Sequence, residues 1–206
     1  MYPLSTGTPV PGGTASIIAD NNYHAGVSVD ISPWTSPDLS AANIMYAAEK
    51  GAAGVRVYMF GGDINANQAL SQCFTGGCMG AHVDPNPLFN GPTAQATWLA
   101  LSNAFNLVQT LEPFLLQPHL PSPNYGANIV TAARTSSYGT LLMMTYFGNA
   151  ASAPVSIDLS SYNPSGGAGT MYLMNGESST HQVISGTSTQ VTFAPAQTVA
   201  FTFPPQ

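Results

Sequence analysis

Asp30 sits among the β-branched residues Val27, Val29 and Ile31, in a short run that stops at Ser32-Pro33. A carboxylate at a strand end can act as a nucleophile or hold a ligand hydroxyl, or it can cap the loop through Ser32 or the next turn. Residues of complementary chemistry lie near it in sequence. Trp34 offers an indole face to a ring with an apolar C–H side. Tyr58 can hydrogen-bond a carboxylate from the next apolar run, and Asp63, after Gly61-Gly62, can bind hydroxyls. His24 precedes the first run and completes the set of candidate substrate-binding residues. Asp30 is the catalytic candidate, and the chemistry is that of a carboxylate acting on a hydroxyl-rich ligand.

These residues need a scaffold, and residues 23–63 supply one. The run around Val27–Ile31 reads as a strand ended by Pro33, which cannot donate to a ladder. Ser36 or Asp38 can start a helix. Leu39, Ala42, Met45, Tyr46 and Glu49 recur at helical spacing, so a helix is expected over 39–50, with Gly51 just past its end. Residues 54–60 form a nearly continuous apolar strand, which implies cover on both faces and a parallel sheet. Strand, helix and strand make a right-handed βαβ unit. In such sheets chemistry collects at the carboxyl ends of the strands, here Asp30 and Trp34, then Gly61, Gly62 and Asp63. Arg56 is a rare charge in its strand and is expected to pair with Glu49 or Asp30.

Around this unit the chain changes character twice. Residues 1–13 are an irregular lead-in, residues 14–19 a short strand or helix end, and Asp20-Asn21-Asn22 a turn. Residues 64–92 form a long loop holding Cys73 and Cys78 in the sequence CFTGGC. The spacing favours a tight loop disulfide in an oxidising compartment; a metal site would need ligands beyond the nearby His82. No spacing links His82, His119 and His181 into a metal site, and no cofactor is implied. Trp98, Leu101, Ala104 (or Phe105), Val108, Leu111 and Leu115 then mark a helix over 92–116, which Glu112-Pro113 should end or kink.

The Pro-rich stretch 117–123 is a connector, which divides the chain into a βα segment over 1–120 and a second domain over 121–206. The second domain has period-two runs at 129–132, 140–147, 155–159, 170–174, 182–184, 190–193 and 198–203, separated by turn residues. They predict an antiparallel β-sandwich. In the last run Val199, Phe201 and Phe203 share one face and Thr198, Ala200 and Thr202 the other.

Composition limits the partners. Charged residues are 6% of the chain, against about 25% in an average domain. With three basic residues and a net charge of -6, phosphate neutralisation and attraction to anionic membranes are both disfavoured. Neither nucleic acid nor a membrane is an expected partner, and no run of about twenty apolar residues spans a bilayer. The neutral polar surface suits a secreted or extracytoplasmic protein. Residues 2–16 lack the apolar core of a signal peptide, so a secreted form is expected to begin at an internal cut.

The order of elements resembles the carboxyl-terminal part of retaining glycoside hydrolases with a (β/α)8 barrel and an attached sandwich, the heparanase and β-glucuronidase type. The segment from Glu49 to Tyr58, EKGAAGVRVY, carries the resemblance most clearly, followed by the ending from Phe193 to Phe201, FAPAQTVAF. The resemblance implies α/β plus all-β architecture, a partial (β/α)8-barrel segment followed by a β-sandwich. Residues 26–32 and 55–60 stand for the seventh and eighth barrel strands. Asp30 stands nearest the place of the nucleophile, where the family has Glu. The family's acid/base lies on an earlier strand that has no counterpart here, so a companion chain or further chain would carry the rest of the barrel.

The expected function is the carboxyl-terminal portion of a secreted glycoside hydrolase acting on O-glycosidic bonds of a polysaccharide or glycoconjugate. The alternative is a non-catalytic carbohydrate-binding or accessory sandwich protein, and a third reading is a structural brace. Residues 1–116 expressed alone should expose unpaired strand edges and aggregate. Analytical ultracentrifugation tests this: a soluble, cooperatively folding monomer would count against the partial barrel.

Overall fold

The computed structural model describes residues 28–31, 37–52, 54–57 and 92–205. Strand β1 (Ser28–Ile31), helix α1 (Pro37–Glu49) and strand β2 (Gly54–Val57) follow one another. The strands pair in parallel, Ser28 beside Gly54 and Ile31 beside Val57. A parallel pair needs a crossover, and α1 provides it. Pro37 suits a first helical position, where its missing N–H costs nothing, and Asp38 puts a carboxylate in the first turn. The helix stops in a Schellman motif. Gly51 takes φ +83°, its N–H donates to the Ala48 carbonyl at 3.0 Å, and the Ala52 N–H donates to Ala47 at 3.0 Å. Residues 40–49 of α1 are all buried.

Helix α2 (Pro92–Leu115) packs against α1. Its buried stripe is Thr97, Ala100, Leu101, Ala104, Leu107, Leu111 and Phe114. Trp98, expected in that stripe, is 60% exposed. The reason is the partner: α1 presents Ala41, Ala47 and Ala48, and Ala100 and Ala104 let the two backbones approach where an indole would not fit. Pro113 was expected to end or kink the helix, yet the helix runs through it to Leu115. Pro113 removes one backbone bond in the last turn only. Leu111 and Phe114 stay buried, and the Gln117 N–H returns to the Phe114 carbonyl at 2.9 Å.

Most of the remaining chain is antiparallel sheet. Strands β3 (His119–Leu120), β4 (Ile129–Ser136), β5 (Gly139–Tyr146), β6 (Val155–Asp158), β7 (Gly169–Asn175), β8 (Ser178–Ile184), β9 (Ser188–Val191) and β10 (Thr198–Phe203) follow in order. Six form one sheet in the order β3-β4-β5-β10-β7-β8, and β6 pairs with β9 separately. The strand expected at 129–132 extends to 136, and that at 182–184 begins at 178. Strand β3 falls inside the stretch read as a connector, held by pairing of His119 with Arg134 and Leu120 with Ala133.

Alternation along the strands gives the six-stranded sheet two buried faces. Leu141, Met143, Met174 and Ala200 meet α1 and α2. Leu142, Met144, Met171, Val199, Phe201 and Phe203 point the other way, onto Ile157, Val191 and Phe193 at the β6–β9 pair. The faces of β10 divide as its sequence predicts. The tight β4–β5 hairpin depends on Gly139, at φ +123°, where a Cβ would strike the backbone of Phe203. Phe201→Ala should therefore lose about 3–5 kcal/mol by opening a cavity in a fully buried site. Gly139→Ala should also destabilise, and urea unfolding followed by circular dichroism reads both.

Candidate functional site

Asp30 is the third residue of β1, and Arg56 is its register partner on β2. Because the strands are parallel, their carboxyl ends lie at the same end of the unit. The sequence placed the catalytic candidate at that end. Trp34, Tyr58, Asp63 and His24 lie outside the described residues, as do Cys73 and Cys78 and the disulfide expected between them.

The densest polar chemistry among the described residues lies elsewhere. Glu49, in the last turn of α1, is buried against the helix-facing side of the large sheet. Thr145 Oγ1 is 2.8 Å from Glu49 Oε1, and 2.9 Å from Thr198 Oγ1 on the adjacent strand. Arg134 Nη2 donates to the Glu49 backbone carbonyl at 2.9 Å, and Nη1 to the Ala133 carbonyl at 3.2 Å. The guanidinium also meets the edge of His119, with Nη1 2.7 Å from Nδ1 and Nη2 2.8 Å from Nε2. A neutral imidazole has a single acceptor nitrogen, so only one of these contacts is a full hydrogen bond. Glu49 Oε2 and Arg134 Nε are buried without a partner. Arg56 was expected to pair with Glu49 or Asp30, and its side chain lies outside the described residues; the Glu49 carboxyl is bonded by Thr145 and its backbone carbonyl by Arg134.

Burial dominates the electrostatics. It pushes the Glu49 carboxyl up to about 8, against the opposing pull of the Thr145 hydrogen bond and of the Lys50 and Arg134 charges. Burial lowers Arg134 to about 10, opposed by the charge on Glu49, so Arg134 stays cationic at neutral pH. A carboxyl raised this far has the acidity of a general acid. Geometry assigns it a different role. Glu49 lines neither the groove bounded by α1 and α2 nor the groove at the end of the sheet. It also lies at the end of α1 that leads into the amino end of β2. Asp30 is level with Arg56 in the register, two residues further along the strands than the Gly54 end. The cluster ties helix to sheet.

Sequence reasoning singled out Glu49 as part of the helical pattern and overlooked Arg134. The available signal was scarcity: Arg134 is one of three basic residues in the chain and lies in an apolar strand.

No family model matches the chain, and no curated protein matches it. Solved structures that overlap it include a GH30 endoxylanase from Clostridium papyrosolvens C71, with TM-score 0.43 and 12% identity over 86% of this chain and 49% of that one. A glucosidase from Croceicoccus marinus overlaps with TM-score 0.44 and 11% identity, over 85% of this chain and 46% of that one. A GH27 β-L-arabinopyranosidase from Geobacillus stearothermophilus overlaps with TM-score 0.43 and 10% identity, over 83% and 31%. The chain thus spans half or less of the length of these proteins. Overlaps this loose leave the function to be argued from the chain's own residues.

The Glu49 shift has a defined sign. The folded state holds a proton up to a pH of about 8, whereas an unfolded carboxyl releases it near its ordinary 4.5. The stabilising contribution is full below the ordinary value and is lost as pH rises through the folded value, by at most about 1.4 kcal/mol per pH unit for one proton. Glu49→Gln, which keeps the shape without the charge, should flatten this slope and be at least as stable as the wild type at the alkaline end. Urea midpoints measured from pH about 5 to about 8 check it. An unchanged slope in the variant would assign the dependence to other groups.

Proposed function

We propose that the chain is the carboxyl-terminal portion of a secreted glycoside hydrolase, with Asp30 supplying one of the two carboxyl groups that cleavage of an O-glycosidic bond requires. The observation that carries this reading is the parallel register of β1 and β2 around α1, with Asp30 near the carboxyl end. That end is where barrel and doubly wound sheets place their chemistry. In this reading the pair represents the last two strands of a (β/α)8 barrel, and the antiparallel sheets form the attached sandwich. Arg56 is the register partner of Asp30, and in this reading its charge favours the ionised form of Asp30. Trp34, Tyr58, Asp63 and His24 contribute to the substrate rim.

The second carboxyl group comes from an earlier strand, carried by a companion chain or by further chain. The apolar groove between α1 and α2 supports that division. Phe105, Val108, Leu115 and Leu116 line it, and Phe105 and Leu116 are 39% and 69% exposed. A preceding barrel helix would cover such a surface. The reaction uses carboxylate chemistry and a water molecule, and the residues in this reading call for no cofactor.

The test uses the native protein together with any chain that co-purifies with it. Hydrolysis of aryl glycosides should fall about 100-fold or more in Asp30→Asn while the circular dichroism spectrum is retained. Arg56→Gln should move the acidic limb of the pH profile upward, because an ionised Asp30 loses its neighbouring charge. Full activity in Asp30→Asn would overturn the proposal. Glycan binding without turnover would favour the accessory reading, and neither binding nor turnover would leave a structural brace.

A further inference from the structure

A second site lies at the end of the large sheet, on the same face as the helices and beyond the end of α2. Three register partners form a row across adjacent strands: Val183 on β8, Thr170 on β7 and Thr202 on β10. Phe114 from α2 and Tyr138 at the tip of the β4–β5 hairpin line the same groove. Together they bound an open groove of about 320 Å³, at the small end of the roughly 300–1,000 Å³ range of ligand pockets. Tyr138 is 66% exposed and Val183 77%.

We propose that this groove binds one sugar unit of a neutral polysaccharide. The chemistry of its walls selects the ligand. Among the described residues no charged side chain lines it, so a phosphate, a sulfate or a uronic acid would lose hydration without gaining a counter-charge from them. The side chains of Thr170 and Thr202 are half-buried, and among the described residues neither hydroxyl is given a hydrogen-bond partner. A purely apolar ligand would cover those hydroxyls and leave them unsatisfied. A pyranose ring meets both demands: its C–H face lies on the Tyr138 ring, and its hydroxyls exchange hydrogen bonds with Thr170 and Thr202. The groove is built from α2 and the antiparallel sheet alone. It therefore stands apart from the role of Asp30, and it would keep the chain on an extended substrate whichever end carries the cleavage.

Native electrophoresis in gels containing arabinoxylan, mixed-linkage β-glucan or galactomannan tests the site, with polygalacturonate as the acidic control. At least one neutral polymer should retard the protein, and polygalacturonate should not. Tyr138→Ala should weaken retardation about tenfold. The double substitution Thr170→Val and Thr202→Val, which preserves shape and removes both hydroxyls, should weaken it as well. Neither variant should alter turnover of a small soluble aryl glycoside, which separates this groove from the Asp30 rim. Absence of retardation by all three neutral polymers would overturn the inference, as would wild-type retardation in both variants or a loss confined to Asp30→Asn. A concentration-dependent dimer abolished by Tyr138→Ala, without glycan retardation, would assign the groove to a second copy of the chain instead.

Discussion

Burying the last turn of α1 against a sheet leaves a carboxyl group and several backbone carbonyls with no access to water. Side chains from three strands meet one carboxyl oxygen and the Glu49 backbone carbonyl, while Glu49 Oε2 stays without a partner. Thr145 reaches the Glu49 carboxyl, Thr198 supports Thr145, and Arg134 donates to the Glu49 backbone carbonyl. These bonds are directional in a way that apolar packing is not. Alanines and methionines would tolerate a sliding helix, whereas a shift of one turn would break the Thr145 and Arg134 bonds to Glu49. The cluster therefore fixes where α1 sits over the sheet. Since α1 connects β1 to β2, it also fixes where the parallel pair, and Asp30 with it, is held relative to the antiparallel layers.

The large sheet can be held from both sides because its strands are apolar on both faces. One face packs on the helices and the other on the β6–β9 pair, with Phe193, Phe201 and Phe203 fully buried or nearly so. A third, smaller cluster joins Tyr46 of α1 to Phe147 and Ala196, with the Tyr46 and Phe147 rings edge to face at 5.7 Å. Helices and sheets thus share apolar contacts from Ala41 to Phe203. The Tyr138 groove lies outside this interior, at the end of the large sheet.

Much of this was legible in the sequence because the signals are local. Gly51 as a helix stop and the two-faced alternation of 198–203 each depend on backbone preferences within a few residues. The placement of Asp30 followed from a rule about parallel sheets. Trp98 was misplaced because helical periodicity marks every apolar residue on a stripe without knowing that the partner helix is faced with alanine. Strand β3 was missed because two residues in a Pro-rich stretch have no period to read, and their pairing with Arg134 and Ala133 is the only sign of it.

By itself, the sequence determined the element types, their order, the parallel crossover and the division of strand faces. Steric limits on φ and the period of side chains along a backbone act within a few residues. Only the tertiary structure decided that Glu49 is held neutral near pH 7 and that Arg134 is its neighbour. Their contacts join residues 85 and 96 positions apart. A carboxyl group acquires its acidity from the solvent it loses and the dipoles it meets, and both are set by which distant strand comes to lie beneath the helix.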